Sequence, residues 1–469
     1  MNAFFLMLFV FLFFGVQAGW AETPEERIKK LEETIQKQQE VLKEQQKALE
    51  DLKEEFKQSQ SVKPQPSTPA PPAAAATTQP AAPDQIQKEV KELKETVDQV
   101  VEAQKKYVPS VFNPSIGFVG ETIFSYNSKG SQQTGSDRPG GFDVNLRSME
   151  LNLAASVDPF ARGYAVINAS ADPITGESNV VVEEAALQTT SLPWNLTLKA
   201  GLFFSEFGRL AYIHDHELPF VNRPLVLDQY IGGESKTYGL QVNYLLPISH
   251  YVSLTAGVGT QFGSPPNPAG DYRQASELNY WGRASTYFDL TPDISLETGM
   301  SGLMNPNSNG LGGSLVQTNG STFSEQERRL VGADLTLRYF PLRNNQFKSL
   351  TWGTELLYSN NRYDVTSLDS SVSSSTVGSF GLYSYLAYKF HRQWTSGFLF
   401  QWLENTQNNR AQTYSYSPYI TWAVSHWNQL RLQYTHTDNN AATGLQSNDA
   451  VYLQWTWIIG SHAHGWQER

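Results

Sequence analysis

The amino-acid sequence predicts an all-β transmembrane barrel of about sixteen antiparallel strands, preceded by an α-helical coiled-coil stalk. From about residue 115 onward, apolar and polar residues alternate with a period of two, as in strands with one apolar and one polar face. The connections alternate between short and long, which fits a barrel with turns at one rim and loops at the other; a Greek-key sandwich does not predict this. The composition, with 12% aromatic and only 17% charged residues, fits such a barrel and a secreted β-sandwich equally well.

The first element is a predicted secretory signal, residues 1–21. Ala3 to Phe14 are almost wholly apolar, and small residues follow, with cleavage expected after Ala18 or Ala21. The alternative is a membrane anchor. The apolar run is short for a helical span of about 20 residues, so we favour the signal and an envelope location. Cysteine is absent, which excludes disulfides and thiolate chemistry.

The next element is a predicted stalk with a heptad pattern. Residues 22–60 form a coiled coil, residues 61–84 a Pro/Ala-rich linker, and residues 85–107 a second short coiled-coil helix. The barrel takes residues 108–469. Because a lone charged helix has no need of an apolar seam, we expect a homo-oligomer, taken as a trimer; a single solvated helix is the alternative. The first seam comprises Ile28, Leu31, Ile35, Gln38, Leu42, Gln45, Leu49, Leu52 and Phe56.

The barrel strands follow from the alternation of apolar and polar residues. An even strand count places both chain ends at the periplasmic rim, where the stalk must also lie. In the second strand the apolar parity changes between Leu146 and Met149, which a bulge near Arg147–Ser148 or a mistaken strand boundary would explain. The predicted strands are 115–126, 143–157, 162–170, 179–190, 196–203, 236–246, 251–263, 277–288, 294–304, 327–340, 348–360, 377–390, 393–404, 412–424, 429–438 and 449–459.

With this strand pattern and stalk, the chain resembles the bacterial general porins and the trimeric porins that carry an N-terminal coiled coil. The segment LTLKAGLFFSEFGRLAYIHDHELPFVNRPL, residues 196–225, also resembles a segment of uncharacterised porin-like outer-membrane proteins. The resemblance implies an outer-membrane location with a periplasmic stalk, contact with lipid, and a water-filled channel for small hydrophilic solutes. The chain departs from the pattern at its end, where GSHAHGWQER follows the aromatic last strand.

In the porins that the chain resembles, the third surface loop folds into the barrel and narrows it. Here the third long connection, residues 204–235, is the longest of eight. A constriction needs charges of both signs, since a field across a narrow passage orients water and filters solutes. The alternative is that these charges solvate a polar lumen and pair with one another. The loop candidates are Glu206, Arg209, His214, Asp215, His216, Glu217, Arg223, Asp228 and Glu234. The wall candidates are Arg147, Lys199, Arg283, Arg328, Arg338 and Arg431, with the inward acids Glu150, Glu297, Asp334 and Glu355.

Other functions have little support in the sequence. The run His214–Glu217 contains possible metal ligands, but adjacent loop residues seldom all face one ion, so we expect no metal and no cofactor. Motifs of hydrolases and P-loop enzymes are absent from the sequence, so no enzyme is expected. The net charge of −11 disfavours nucleic acid as a partner. The second hypothesis is structural: a barrel with a plugged lumen would anchor a stalk that tethers the outer membrane to the cell wall.

Overall fold

The computed structural model describes residues 114–460, except 130, 134–135, 139, 172–175, 265–271, 309–310, 317–320 and 342–346. The predicted signal, coiled coils and linker lie outside the described residues. Within the described part of the chain, no helix is long and apolar enough to span a membrane.

Sixteen antiparallel strands form one closed sheet. Each strand pairs with the next one along the chain, and the first pairs with the last, with Thr122 opposite Trp455. Closure leaves no sheet edge among these strands, which a structure spanning a bilayer requires. The strands are β1 (Ser115–Asn127), β2 (Gly141–Asp158), β3 (Ala161–Ala171), β4 (Ser178–Thr189), β5 (Leu196–Phe204), β6 (Lys236–Leu245), β7 (Tyr251–Gly259), β8 (Asn279–Thr291), β9 (Ile294–Asn305), β10 (Thr322–Tyr339), β11 (Ser349–Thr366), β12 (Val372–His391), β13 (Trp394–Glu404), β14 (Gln412–Ser425), β15 (Asn428–Asn439) and β16 (Asn448–Gly460).

The wall of the barrel has an apolar outer face and a polar inner face. In β14, Tyr414 and Tyr416 are 43% and 37% exposed, whereas Ser415 and Ser417 between and after them are 0% and 1% exposed. The pleat sends successive side chains to opposite faces, so this alternation separates an outer belt from the lumen. The outer belt suits contact with lipid.

All sixteen predicted strands are present; several are longer than the sequence indicates, whereas β7 ends at Gly259, four residues before the predicted end at residue 263. The hairpin of β11 and β12 continues to the pair Thr366 and Val372, six residues beyond the predicted end of β11. The β12 side of this extension is rich in serine, and the outward positions on the β11 side are the polar Arg362 and Asp364. A strand that projects past the bilayer needs no apolar side chains that face lipid. The prediction depended on the alternation of apolar and polar residues and therefore stopped early.

The bulge predicted in β2 is also confirmed. Ser148 pairs with Glu121 and Leu146 pairs with Thr122, so Arg147 is the extra residue. The bulge restores the outward parity of Met149 after that of Leu146 and aims Arg147 at the lumen.

Short elements occur in the loops. Two strands, Ser131–Gln133 and Ser136–Arg138, pair with each other, and Leu311–Val316 pairs with the start of β10. A 3-10 turn, Asp215–Glu217, and one helix, α1 (Leu225–Ile231), lie in the connection between β5 and β6.

The helix α1 is bounded by a proline and a glycine. Pro224 precedes its first turn, and Gly232 follows its last residue with φ 79°, a left-handed conformation that glycine adopts without strain. The Gly232 N–H donates to the Asp228 carbonyl and satisfies one of the last helical acceptors.

Candidate functional site

The connection between β5 and β6 lies inside the barrel. We call residues 205–235 the lumen segment. Every residue in it is buried or half-buried, although in sequence it is a loop. Its apolar side chains form a core of their own: Phe207 and Phe220 are 0% exposed, and Leu218 is 1% exposed. The segment is therefore a folded element within the lumen rather than a solvated surface loop.

Aromatic contacts join this core to the barrel wall. The Phe220 ring centroid lies 5.7 Å from that of Tyr385 on β12 and 6.4 Å from that of Tyr419 on β14, both edge to face. Phe207 meets Phe262, which follows β7, at 5.4 Å. Apolar burial and aromatic edge contacts stabilise the docked position of the segment.

Polar side chains of the wall bind the backbone of the segment. The Gln433 Oε1 accepts from the Val221 N–H at 2.8 Å, and the Gln401 Oε1 accepts from the Leu225 N–H at 2.7 Å. Tyr230 donates to the Glu404 carbonyl at 3.0 Å. Such bonds satisfy backbone groups that the lumen removes from water. The segment forms hydrogen bonds with residues of β2, β4, β6, β7, β9, β11, β13 and β15.

The two ends of the segment meet at the rim. Ser205 N–H donates to the Ser235 carbonyl at 2.9 Å, and the Ser235 hydroxyl donates to the Ser205 carbonyl at 2.6 Å. Because its wall partners lie on strands around the whole circumference of the barrel, the segment crosses the lumen instead of following one wall.

The basic wall residues that the sequence indicated all face inward and have partners. Arg147 pairs with Glu121 at 2.5 Å, and Arg283 pairs with Asp334 at 2.5 Å. Arg431 donates to the Gln454 Oε1 at 2.7 Å and to the Phe220 carbonyl at 3.1 Å.

Two further wall bases, Arg328 and Lys199, are also buried. Arg328 pairs with Glu325 at 3.1 Å. Lys199 is 4% exposed, and its ammonium lies 5.4 Å from the ring centroid of Phe203. Pairing neutralises most of the charge that was expected to line an open passage.

One polar cluster keeps access to water at the seam between segment and wall. Arg209 of the segment lies 3.8 Å from Glu297 on β9, and Arg338 on β10 lies 3.1 Å from the same carboxylate. These side chains are 17%, 21% and 24% exposed, in the order Arg209, Glu297, Arg338. Charges of both signs thus meet beside solvent at this seam.

The other charged residues of the segment mostly fix its own fold. Arg223 pairs with Asp215 at 2.8 Å and with Glu234 at 3.3 Å, and donates to the carbonyls of Leu210 and Ile213. Burial raises the pKa of Asp228 on α1 to about 7, and the acids nearby act in the same direction. Glu217 is half-buried.

Glu206 anchors the start of the segment to the wall. Its Oε2 accepts from Asn243 on β6 at 2.6 Å and from Thr255 on β7 at 2.8 Å.

A buried cluster of histidines and glutamates lies where the 3-10 turn meets the wall. His214 Nε2 is 2.9 Å from Glu184 Oε1, and His216 Nδ1 is 3.0 Å from Glu150 Oε1. His214 Nδ1 is 3.6 Å from Glu150 Oε2 and 3.8 Å from Glu183 Oε2. Burial alone would lower the pKa of His214, but the surrounding glutamates outweigh it and raise that pKa above its ordinary value.

Sequence reasoning singled out the two histidines and Glu150, but missed Glu183 and Glu184. The register shifts beside them: Val166 pairs with Glu184 and Ile167 with Val182, so Glu183 is a bulged residue. The bulge allows both neighbouring carboxylates to be buried on the inner side of β4. The sequence did contain a signal for this bulge, because strict alternation would place one of these two adjacent glutamates against lipid.

Comparisons with known proteins support the fold. No family model matches the chain. An uncharacterized protein of Aquifex aeolicus (strain VF5) is 30% identical over 291 residues, which is 58% of this chain and 57% of that protein, so the chain spans little more than half the length of this relative.

Among solved structures, the outer membrane channel DcaP of Acinetobacter baumannii aligns with 74% of this chain and 97% of its own, with a TM-score of 0.50 and 10% identity. The high-pH structure of Pseudomonas putida OprB covers 74% and 94%, with a TM-score of 0.48 and 11% identity. The chain has the closed sixteen-stranded barrel fold of porin-like outer-membrane proteins.

Proposed function

We propose that the chain is an outer-membrane channel for passive diffusion of small hydrophilic solutes, and that the lumen segment sets its passage. The apolar outer belt supports insertion in a bilayer, and the polar inner face supports a hydrated lumen. The fold shared with the channel DcaP supports the same role. The proposal assigns no catalytic reaction to the chain.

The observation that carries the proposal is the solvent-accessible cluster of Arg209, Glu297 and Arg338, which joins the segment to the wall; the partly exposed carboxylates of Asp215 and Glu234 pair with Arg223 within the segment. The cluster lies where the segment meets β9 and β10, and it keeps charges of both signs in contact with water. Ions and polar solutes lose hydration in a narrow passage, and fixed charges of both signs compensate for that loss. We place the solute path along this seam.

The stalk enters the proposal through its heptad pattern. Apolar residues at a and d positions in residues 22–60 support a homotrimer, with the stalk in the periplasm. Each subunit would then carry its own barrel and its own lumen segment.

Planar-bilayer recordings of the purified full chain test the proposal. The ends of the segment are already hydrogen-bonded, so residues 206–234 can be replaced by Gly-Gly as a tight hairpin turn between Ser205 and Ser235. We expect stepwise currents from the wild-type chain and larger steps from this variant. The matched control replaces residues 440–447, an exposed loop between β15 and β16, by Gly-Gly and should leave the step size unchanged.

A wild-type chain without current, under conditions where a known porin conducts, would contradict the channel. The second candidate function would then gain support: a barrel that anchors a stalk joining the outer membrane to the cell wall. The hydrogen bonds of the segment to strands on all sides of the lumen favour this candidate. In that case the Gly-Gly variant would conduct although the wild type does not, and deletion of residues 22–107 would weaken the envelope.

A further inference from the structure

We propose that Glu150, Glu183, His214 and His216 bind one divalent transition-metal ion inside the barrel. The ligand atoms of Glu150, His214 and His216 all lie within 4.8 Å of one another, and each of these residues is buried. The proposal goes beyond the channel function, and it revises the expectation from sequence that these histidines hold no metal.

The distances between donor atoms fit a tetrahedral ion. Bonds of about 2.1 Å from Zn²⁺ to nitrogen and oxygen place neighbouring ligand atoms about 3.4 Å apart in a tetrahedron. His214 Nδ1 lies 3.6 Å from Glu150 Oε2 and 3.8 Å from Glu183 Oε2. Small side-chain shifts would bring His214 Nδ1 and Glu150 Oε2 to bonding distance of one ion, together with His216. Glu183 belongs to a second set of donor atoms within 4.8 Å of one another, with His214 and Glu234, so its side chain would turn toward Glu150 on binding.

The hydrogen bond to Glu184 turns His214 toward this position. Glu184 Oε2 accepts from the Tyr164 hydroxyl at 3.0 Å, and Glu184 Oε1 lies 2.9 Å from His214 Nε2. When Nε2–H donates to this carboxylate, the lone pair of the neutral ring is on Nδ1, which faces Glu150 and Glu183. A carboxylate that orients a ligating histidine is a common second partner in metal sites.

The charge of the cluster also favours a cation. Three glutamates, Glu150, Glu183 and Glu184, surround the two imidazoles in a buried place. Glu183 is 8% exposed, and among the described residues its Oε2 has no hydrogen-bond partner. A buried carboxylate oxygen of this kind is costly unless a cation or a proton compensates it.

The neighbouring lysines make their hydrogen bonds and ring contacts elsewhere, although their charges still act on Glu183 and Glu184. Lys236 donates to the Val182 carbonyl at 3.2 Å, and Lys199 lies over the Phe203 ring. Arg223 pairs with Glu234 at 3.3 Å, which is why we prefer Glu150 and His216 to Glu234 as partners of His214. Two imidazoles with carboxylates suit Zn²⁺ and similar ions, whereas Mg²⁺ and Ca²⁺ prefer sites made of oxygen alone.

A bound ion would join three parts of the fold. His214 and His216 belong to the lumen segment, Glu150 to β2 and Glu183 to β4. The ion would therefore hold the segment against the wall, in addition to the apolar contacts at Phe220.

Metal binding to the full chain in detergent tests the site, with Zn²⁺ as the probe. Every sample carries His462→Ala and His464→Ala, so that the C-terminal His-Ala-His sequence adds no ligands. After removal of metal with a chelator, we expect one equivalent of Zn²⁺ per chain, retained against excess Mg²⁺. Glu183→Gln and His214→Asn should weaken binding by more than the roughly 10- to 100-fold that loss of an orienting partner causes. Glu184→Gln, which removes only an orienting partner, should weaken Zn²⁺ binding by a factor within that range.

The matched control is His250→Asn, in an exposed turn, which should bind Zn²⁺ like the parent chain. Far-UV circular dichroism and heat-modifiable gel migration report folding. If His214→Asn does not fold, Glu183→Gln decides, because glutamine preserves the shape of the side chain. Less than one equivalent in the parent, or equal affinity in Glu183→Gln and the control, would overturn the site. The assay measures no current, so its failure leaves the channel proposal standing.

Discussion

Phe220 is the residue whose removal should most directly release the lumen segment. Its side chain is 0% exposed and lies between Tyr385 and Tyr419 of the wall. Truncation of a buried phenylalanine to alanine costs about 3–5 kcal/mol, and this loss falls on the contact between segment and wall. A free-energy change of about 1.4 kcal/mol changes an equilibrium constant tenfold, so Phe220→Ala should raise the population of the undocked segment by about 100-fold or more.

Backbone hydrogen bonds on the same stretch moderate this effect. The Phe220 carbonyl accepts from Arg431, and Val221 contacts Gln433 and Arg147. Each such bond contributes about 1 kcal/mol and stays available to the variant. We therefore expect transient opening of the segment rather than permanent loss of its docked state.

The assay is single-channel recording in planar bilayers. Phe220→Ala should add large openings that are rare in the wild type, with a size approaching that of the Gly-Gly replacement. The control is Phe398→Ala on β13, the same substitution at a side chain that is 44% exposed on the outer face. Currents from Phe220→Ala that match those from Phe398→Ala would refute the docking argument.

Two other substitutions test the packing of the lumen. Gly208→Ala should weaken the docking of the segment by about 1–3 kcal/mol, because Gly208 has φ +60° and an added Cβ would overlap the Glu355 carboxylate. The control is Gly302→Ala, whose added Cβ would have no heavy atom within 4 Å. It should leave the single-channel recordings unchanged. Asp334→Asn should lower the free energy of unfolding in denaturant by about 3–5 kcal/mol, because it leaves the Arg283 guanidinium buried without its ion pair. The double variant Arg283→Met, Asp334→Leu should recover that stability. An Asp334→Asn variant as stable as the wild type would contradict the role of the ion pair.

The sequence predicted the strands well because lipid and lumen impose opposite demands on neighbouring residues. Alternation such as Tyr414 and Tyr416 against Ser415 and Ser417 records those demands directly. Where a strand projects past the bilayer, as in the serine-rich extension that reaches Val372, lipid-facing apolar residues no longer alternate with polar ones. The hydrogen bonds between the two strands nevertheless continue.

The site was only partly predictable. The charged residues of the lumen segment indicated a site, but the interior of the segment is apolar. Phe207, Leu218 and Phe220 were better evidence that it folds inside the barrel. An exposed loop has no reason to carry so many large apolar side chains. The convergence of His214 with Glu150 and Glu183 depends on three separated parts of the chain and on a bulge, so spacing in sequence could not reveal it.

The pKa of Asp228 predicts that the docking of α1 weakens as pH rises. Its pKa is about 7, raised from 3.8 by burial, against the opposing effect of Arg223. A raised pKa means that the folded state binds the proton more tightly, so the stabilisation is complete below pH 4 and is lost as pH rises through 7. Asp215, Glu234 and Arg147 also act on this carboxyl. Large openings should therefore become more frequent from pH 5 to pH 8 in single-channel recordings.

Asp228→Asn should reduce this dependence, because an amide stays neutral across the range, while Glu234, whose pKa burial also raises to about 7, should keep part of it. Asp369→Asn, in an exposed turn, is the control and should preserve the wild-type profile. If Asp228→Asn and Asp369→Asn respond to pH alike, ionisation of Asp228 does not govern the segment. If the openings become rarer toward pH 8, the sign of the argument is wrong. The expected result would identify α1 as a part of the lumen segment whose docking follows pH.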